Sequence, residues 1–137
     1  MNQIVGFKDF LIDQILNGVK YYTTRPETQF RLKLDVGDTM YIFSGNRTAK
    51  MKKHGEAIVK NRWRWNQSTI RSAYFFMNQF DLKIENYLSP IGVKWSEFAK
   101  GEGFRSILEL LQWFNQKKYL SQPLITYQFE LLKEKVI

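Results

Sequence analysis

Gly18-Val19-Lys20-Tyr21-Tyr22-Thr23-Thr24-Arg25 follows an apolar-periodic segment and precedes Pro26. It gathers an amine, hydroxyls and a guanidinium between two elements of different type. Upstream, Phe7, Phe10, Leu11 and Ile15 fall at i, i+3, i+4 and i+8, a stripe of helical period that predicts a helix over 7–17. Gly18 stands where a left-handed C-terminal cap belongs. Downstream, Lys20 to Arg25 is β-branched and aromatic, which predicts a strand, and Pro26 biases Arg25 toward extended backbone. Thr23 and Arg25 share one face of that strand. Lys20 points to the other face of a regular strand. For Lys20 and Thr23 to meet, Lys20 has to sit in the turn after Gly18, outside the ladder.

Working outward, residues 27–34 form a polar connection with Phe30 as its hydrophobic anchor. Val36-Gly37-Asp38 signals a turn into a strand over 39–43, and Ser44-Gly45-Asn46 signals another. Residues 47–55 read as a basic loop or ragged hairpin. Glu56 to Trp65 reads as a strand with Ala57, Val59, Asn61, Trp63 and Trp65 on its interior face and Glu56, Ile58, Lys60, Arg62 and Arg64 on the exterior face. A helix capped by Ser68 runs to Phe80, with Ala73, Phe76, Met77 and Phe80 at helical spacing. It opens an aromatic-rich insertion over 66–92, expected to pack over a barrel mouth. Lys94 to Lys100 is a short helix with Trp95 and Phe98 inward, and Gly101-Glu102-Gly103-Phe104 is a break. Ser106 and Glu109 match a capping box for a helix to about Lys118. After Pro123, Ile125, Tyr127, Phe129 and Leu131 alternate with polar residues as a closing strand.

The chain of 137 residues fits a single domain, 1–137. It has no cysteine and one histidine, His54, which excludes a disulfide framework, a Cys nucleophile and a multi-His zinc site. No metal or cofactor is expected. There is no secretory signal pattern and no apolar run near the roughly 20 residues a bilayer needs, so the expectation is a cytoplasmic protein with no membrane partner. Net charge is +8 and concentrated. Arg47, Lys50, Lys52, Lys53, Lys60, Arg62, Arg64 and Arg71 are opposed within their window only by Glu56, so 47–71 carries +7. Such a window suits a polyanion, most simply nucleic acid. The bland alternative is a solvated face that keeps the protein soluble.

The order of these features resembles the ASCH family, relatives of the PUA fold of RNA-modifying proteins. The likeness rests on the helix, Gly18-x-Lys20-x-x-Thr23-x-Arg25, Val36-Gly37-Asp38 before a strand, Gly45-x-Arg47-Thr48 after it, and Ala99-x-x-Glu102-Gly103-Phe104 before a Ser-capped helix and closing strand. It implies an α+β fold: a small, mostly antiparallel PUA-like β-barrel with an N-terminal helix and further helices in the C-terminal half. It also implies a pocket made by Lys20, Thr23, Arg25 and Glu102, with Gly18 and Arg47 beside it, for RNA or a modified nucleoside. The basic residues Lys50, Lys52, Lys53, Lys60, Arg62, Arg64 and Arg71 would border it as a nucleic-acid face. Some small members are N4-acetylcytidine amidohydrolases, and others are described as RNA-binding or RNA-cleaving. The alternative to binding is therefore hydrolysis of an acylated nucleoside or of RNA. Thr23 would be the nucleophile, Lys20 its base, and Glu102 would orient Lys20 or shuttle its proton. Arg25 would hold a carboxylate, a phosphate or the oxyanion. A third option is a protein-interaction module using the aromatic insertion. Each site residue also has a plain reading: a strand Thr, a solvated Lys, an Arg in a structural ion pair, a Glu at a helix end.

Overall fold

The chain leaves its first helix through a Schellman turn, and that turn positions the stretch from Gly18 to Arg25. The structure is a computed structural model that describes residues 1–45, 47–80, 83–120 and 122–137, without the side chains at 79, 80 and 120. Asn46 of the expected turn, the side chain of Phe80 and residues 81–82 of the expected insertion lie outside that description. Helix α1 (Asp9–Leu16) ends with Val19 N–H on the Gln14 carbonyl (2.9 Å) and Gly18 N–H on the Ile15 carbonyl (3.1 Å). Gly18 takes φ 74°, which a side chain would strain. The Lys20 N–H also bonds the Gln14 carbonyl (3.0 Å). Strand β2 (Tyr22–Pro26) starts only after this, so Lys20 sits outside the ladder.

The helix is shorter than the stripe suggested, because Gln3–Phe7 is a strand, β1. Lys8 is extended between the two elements. The buried face of α1 carries Ile12 and Ile15, while Phe10 is 63% exposed. The expected stripe is therefore rotated: α1 is oriented by what it packs on, Leu34, Met40 and Ile42 among others. Likewise Phe30, in the short helix α2 (Gln29–Leu32), is 56% exposed, and Leu34 is the anchor of that connection.

Strands β3 (Thr39–Ser44), β4 (Lys52–Trp65) and β5 (Leu124–Leu131) complete a five-stranded sheet in the order β1-β3-β4-β5-β2. The β1–β3 pairing is parallel and the other three are antiparallel. The two edge strands approach each other. Arg25 Nη2 of β2 donates to the Gly6 carbonyl of β1 (2.7 Å), and its guanidinium carbon lies 5.0 Å from the Phe7 ring centroid. The fold is thus α+β, a sheet curled into a half-barrel whose seam between β1 and β2 is bridged by side chains and not by a ladder.

The two faces of the sheet bury separate clusters. Ile125, Tyr127 and Phe129 pack with Ala57, Val59, Met40, Ile42 and α1. Leu124 packs on the opposite face with Tyr22, Trp65 and the helices α3 (Ser68–Phe80), α4 (Trp95–Glu102) and α5 (Ile107–Phe114). Ile70, Ala73, Ile84 and Ile91 carry the described residues of 66–92 into this second cluster. That stretch covers the outer face of the sheet, and not a barrel mouth.

A bulge in β4 overturns the expected alternation. Val59 pairs with Phe129 but Asn61 already pairs with Gln128, so Lys60 is an extra residue. One inserted residue flips every later side chain to the other face. Ala57 and Val59 join the first cluster, whereas Trp65 and Trp63 join the second. Arg62, now opposite Tyr127, turns to the face of Val59.

The expected break at 101–104 is instead the end of α4: Gly101 and Glu102 are helical, and Gly103 is the left-handed cap. Gly101 allows the close approach of α4 to β2, since a Cβ there would lie 2.3 Å from Tyr22 Cδ2. Tyr21 N–H donates to the Gly101 carbonyl (2.8 Å). Ser106 caps the next helix, its Oγ accepting from Glu109 N–H (3.1 Å), while Glu109 Oε1 reaches back to the Arg105 N–H (3.4 Å) and not to that of Ser106, so half of the expected capping box forms. Its helix stops at Phe114, and a short α6 (Lys117–Leu120) follows. Among the described residues no helix is long and apolar enough to cross a membrane.

Candidate ligand-binding site

Glu102 closes α4, where the helix dipole is negative and the last carbonyls lack partners. A carboxylate is badly placed there unless a cation comes to it. Lys20 does. Its Nζ donates to the Glu102 carbonyl (2.7 Å), the Tyr22 carbonyl (2.7 Å) and Glu102 Oε2 (3.1 Å). Both side chains are buried, each residue at 4% exposure. Three acceptors use all three ammonium protons. Burial pulls the Lys20 pKa below its ordinary value, and the Glu102 carboxylate opposes that pull.

A second chain of hydrogen bonds reaches the same carboxylate. Beside an ammonium, Glu102 is an acceptor only, so Thr24 Oγ1 donates to Oε1 (2.5 Å). Thr126 Oγ1 must then donate to Thr24 (2.7 Å), and the donor-only indole of Trp65 supplies Thr126 (2.8 Å). Glu102 is therefore fixed from both sides. Thr24, Thr126 and Trp65 were not among the expected site residues. Thr24 and Thr126 occupy the same register of β2 and β5. That register becomes visible only once the strands are paired.

Thr23 and Arg25 lie on the other face of β2. Arg25 Nε donates to Thr23 Oγ1 (3.2 Å), and no Lys20–Thr23 bond forms. Burial, and after it the charge of Arg31, lowers the pKa of the Arg25 guanidinium, which remains a cation. No carboxylate pairs with it among the described residues. Because β2 is an edge strand, both its faces reach one cavity of about 470 Å³. Lys20, Thr23, Thr24, Arg25 and Glu102 line its inner end, and Phe104, Trp113 and Tyr119 add aromatic wall. This size and this mix of apolar wall with few polar groups suit a small-molecule ligand.

The other expected residues lie apart from this cavity. Gly18 lines a separate depression with Lys20, and Arg47 is exposed in the turn after β3 with φ 63°. On β4, Lys53 pairs with Glu56 (2.8 Å) and Lys60 with Glu130 (3.3 Å), while Arg64 bonds both oxygens of Glu27 (2.5 and 3.1 Å). Arg62 Nη1 donates to the Leu32 and Leu34 carbonyls (2.7 and 3.0 Å), with Asp35 3.8 Å from Nη2. Lys50, Lys52 and Arg71 are exposed.

No protein-family model and no curated relative matches the chain. Solved structures do match. A variant of the ASCH protein ZmASCH from Zymomonas mobilis superposes with a TM-score of 0.52 at 10% identity, over 93% of this chain and 68% of that one. The chain has the ASCH fold. The hypothetical protein PH0355 also superposes on this chain (TM-score 0.59, 16% identity, 96% of this chain and 100% of that one). So does EF3133 from Enterococcus faecalis (0.54, 14%, 96% and 76%). At these identities the likeness concerns the ASCH backbone arrangement and leaves the chemistry to the residues of this chain.

Proposed function

We propose that this ASCH-fold chain binds a nucleoside, free or within RNA, in the cavity between α4, α5 and the β1–β2 seam. The observation that carries the reading is the buried meeting of Lys20 and Glu102, 82 positions apart, in the wall of a cavity that also presents Thr23 and an Arg25 with no acidic partner among the described residues. Glu102 accepts, Arg25 donates, and Phe104 offers an aromatic ring to a base. Calorimetric titration with cytidine, N4-acetylcytidine and a short single-stranded RNA tests it. Binding should occur at low salt and weaken about tenfold or more in Arg25→Gln, with the circular dichroism spectrum unchanged. No binding of any of the three ligands removes the reading.

Hydrolysis of an acylated nucleoside is the second reading. The observation in its favour is that Thr23 Oγ1 accepts from Arg25 while its own proton meets no acceptor among the described residues. Thr23 Oγ1 would bond the acyl carbon as the C–N bond breaks. Its proton would pass to the leaving nitrogen, and water would then release the acid and restore the hydroxyl. The resting contacts of Lys20, all to acceptors, weigh against its acting as base and place binding first. Incubation with N4-acetylcytidine should yield cytidine and acetate, and Thr23→Val should abolish this. Absence of product leaves the binding reading alone.

A further inference from the structure

The rim of the same cavity holds two cations that neither the fold nor the inner site accounts for. Lys8 lies between β1 and α1, and Lys118 lies on α6. These elements are far apart in sequence, yet both ammonium groups gather on one indole. Lys8 Nζ is 5.2 Å from the Trp113 ring centroid and Lys118 Nζ is 6.0 Å from it. Lys118 also lies 4.9 Å from the Tyr119 ring. An aromatic face attracts an ammonium through its quadrupole but does not neutralise it. Among the described residues neither lysine has a carboxylate within ion-pair distance. Of the acids lining the cavity, Glu102 holds Lys20 and Thr24, and Glu109 accepts from the Arg105 N–H (3.4 Å) at the start of its helix; Asp9, next to Lys8, lines an adjoining depression with Lys8 and Arg25. Among the described residues the cavity wall therefore presents Lys8, Lys20, Arg25 and Lys118 against Glu102 and Glu109.

Two like charges drawn to one ring repel each other, and a shared anion relieves that repulsion. Lysine binds phosphate as a point charge. Building on the proposed nucleoside pocket, we propose that Lys8 and Lys118, gathered on Trp113, form a phosphate subsite at the cavity rim. The ligand is then a nucleoside monophosphate, with the nucleoside toward Lys20, Arg25 and Glu102 and the phosphate at the two lysines.

The test compares each of the four common ribonucleosides and N4-acetylcytidine with its 5′- and 3′-monophosphate by calorimetric titration at low and moderate salt. At low salt at least one monophosphate should bind about tenfold or more tightly than its nucleoside, and added salt should shrink that advantage. In a Lys8→Gln/Lys118→Gln variant the nucleotide should fall to the affinity of the nucleoside, and nucleoside binding itself should stay unchanged. Lys8→Arg/Lys118→Arg should keep most of the preference. Equal affinity for nucleoside and nucleotide overturns the subsite and leaves the nucleoside pocket standing. A preference that survives the Gln variant places the phosphate elsewhere and also overturns it. If neither kind of ligand binds, the pocket and the subsite both fail.

Discussion

Lys20 and Arg64 are both cations held by a glutamate, but the two pairs have little else in common. Arg64 and Glu27 meet at the surface, with the arginine side chain 59% exposed. Water reaches Arg64 freely, although the Glu27 side chain is 15% exposed, so the pair adds little despite good geometry. Lys20 and Glu102 are sealed in the wall of a cavity, and neither can be left alone without a buried, unpaired charge. By sequence the β4 arginines attract the attention, since they stand in the most basic window. In the folded chain Glu27, Glu56 and Glu130 answer Arg64, Lys53 and Lys60 there, while Arg47, Lys50, Lys52 and Arg71, like Arg25, Lys8 and Lys118, make no ion pair among the described residues. Positive charge counted along a chain thus overstates the charge left unpaired in the fold.

Four changes test that contrast, from the largest expected effect to the smallest. Lys20→Met leaves Glu102 buried without its cation and should cost about 3–5 kcal/mol in urea unfolding. Adding Glu102→Leu should return much of that loss. A single-variant cost no larger than that of a surface pair would erase the distinction. Thr126→Val deprives Trp65 Nε1 of its acceptor and Thr24 of its donor, and should cost about 1–3 kcal/mol by the same measurement. A neutral outcome would mean that the relay to Glu102 is not formed in solution. Gly101→Ala sets a methyl against Tyr22 and should push α4 from β2, costing about 1–3 kcal/mol and loosening the Lys20–Glu102 contact. Hydrogen exchange at the Tyr21 amide, which bonds Gly101, would report that separation. Arg64→Ala should leave the unfolding midpoint unchanged within error, and a clear loss would show that the surface pair counts for more than its exposure suggests.

Much of the local structure was legible. The Gly18 cap, the turn before β3, the Ser106 cap and the alternation of β5 each depend on residues a few positions apart. The strand expected from Lys20 begins only at Tyr22, and Lys20 leaves the ladder to bond Glu102 and the Tyr22 carbonyl, not to meet Thr23. Strand β1 was not legible, because its parallel partner β3 lies more than thirty residues downstream and its own five residues carry no pattern that outweighs the apolar spacing running on into α1. The exposure of Phe10 and Phe30 was not legible either. Periodicity shows that a face exists, and only the surface it meets decides which way it turns.

The candidate site divides along the same line. The sequence by itself determined the residue types and the backbone turns: an amine, hydroxyls and a guanidinium after a capped helix, and a glutamate before a Ser-capped one. Tertiary structure decided the rest. A single inserted residue at Lys60 sent Trp63 and Trp65 to the face opposite Val59 and gave Thr126 its indole donor. The approach of α4 to β2 chose Thr24, and not Thr23, as the hydroxyl on Glu102. The reason is one of range. Capping and turn chemistry act over a few residues, whereas strand register and the pairing of buried charges are set by contacts between segments that the chain order leaves far apart.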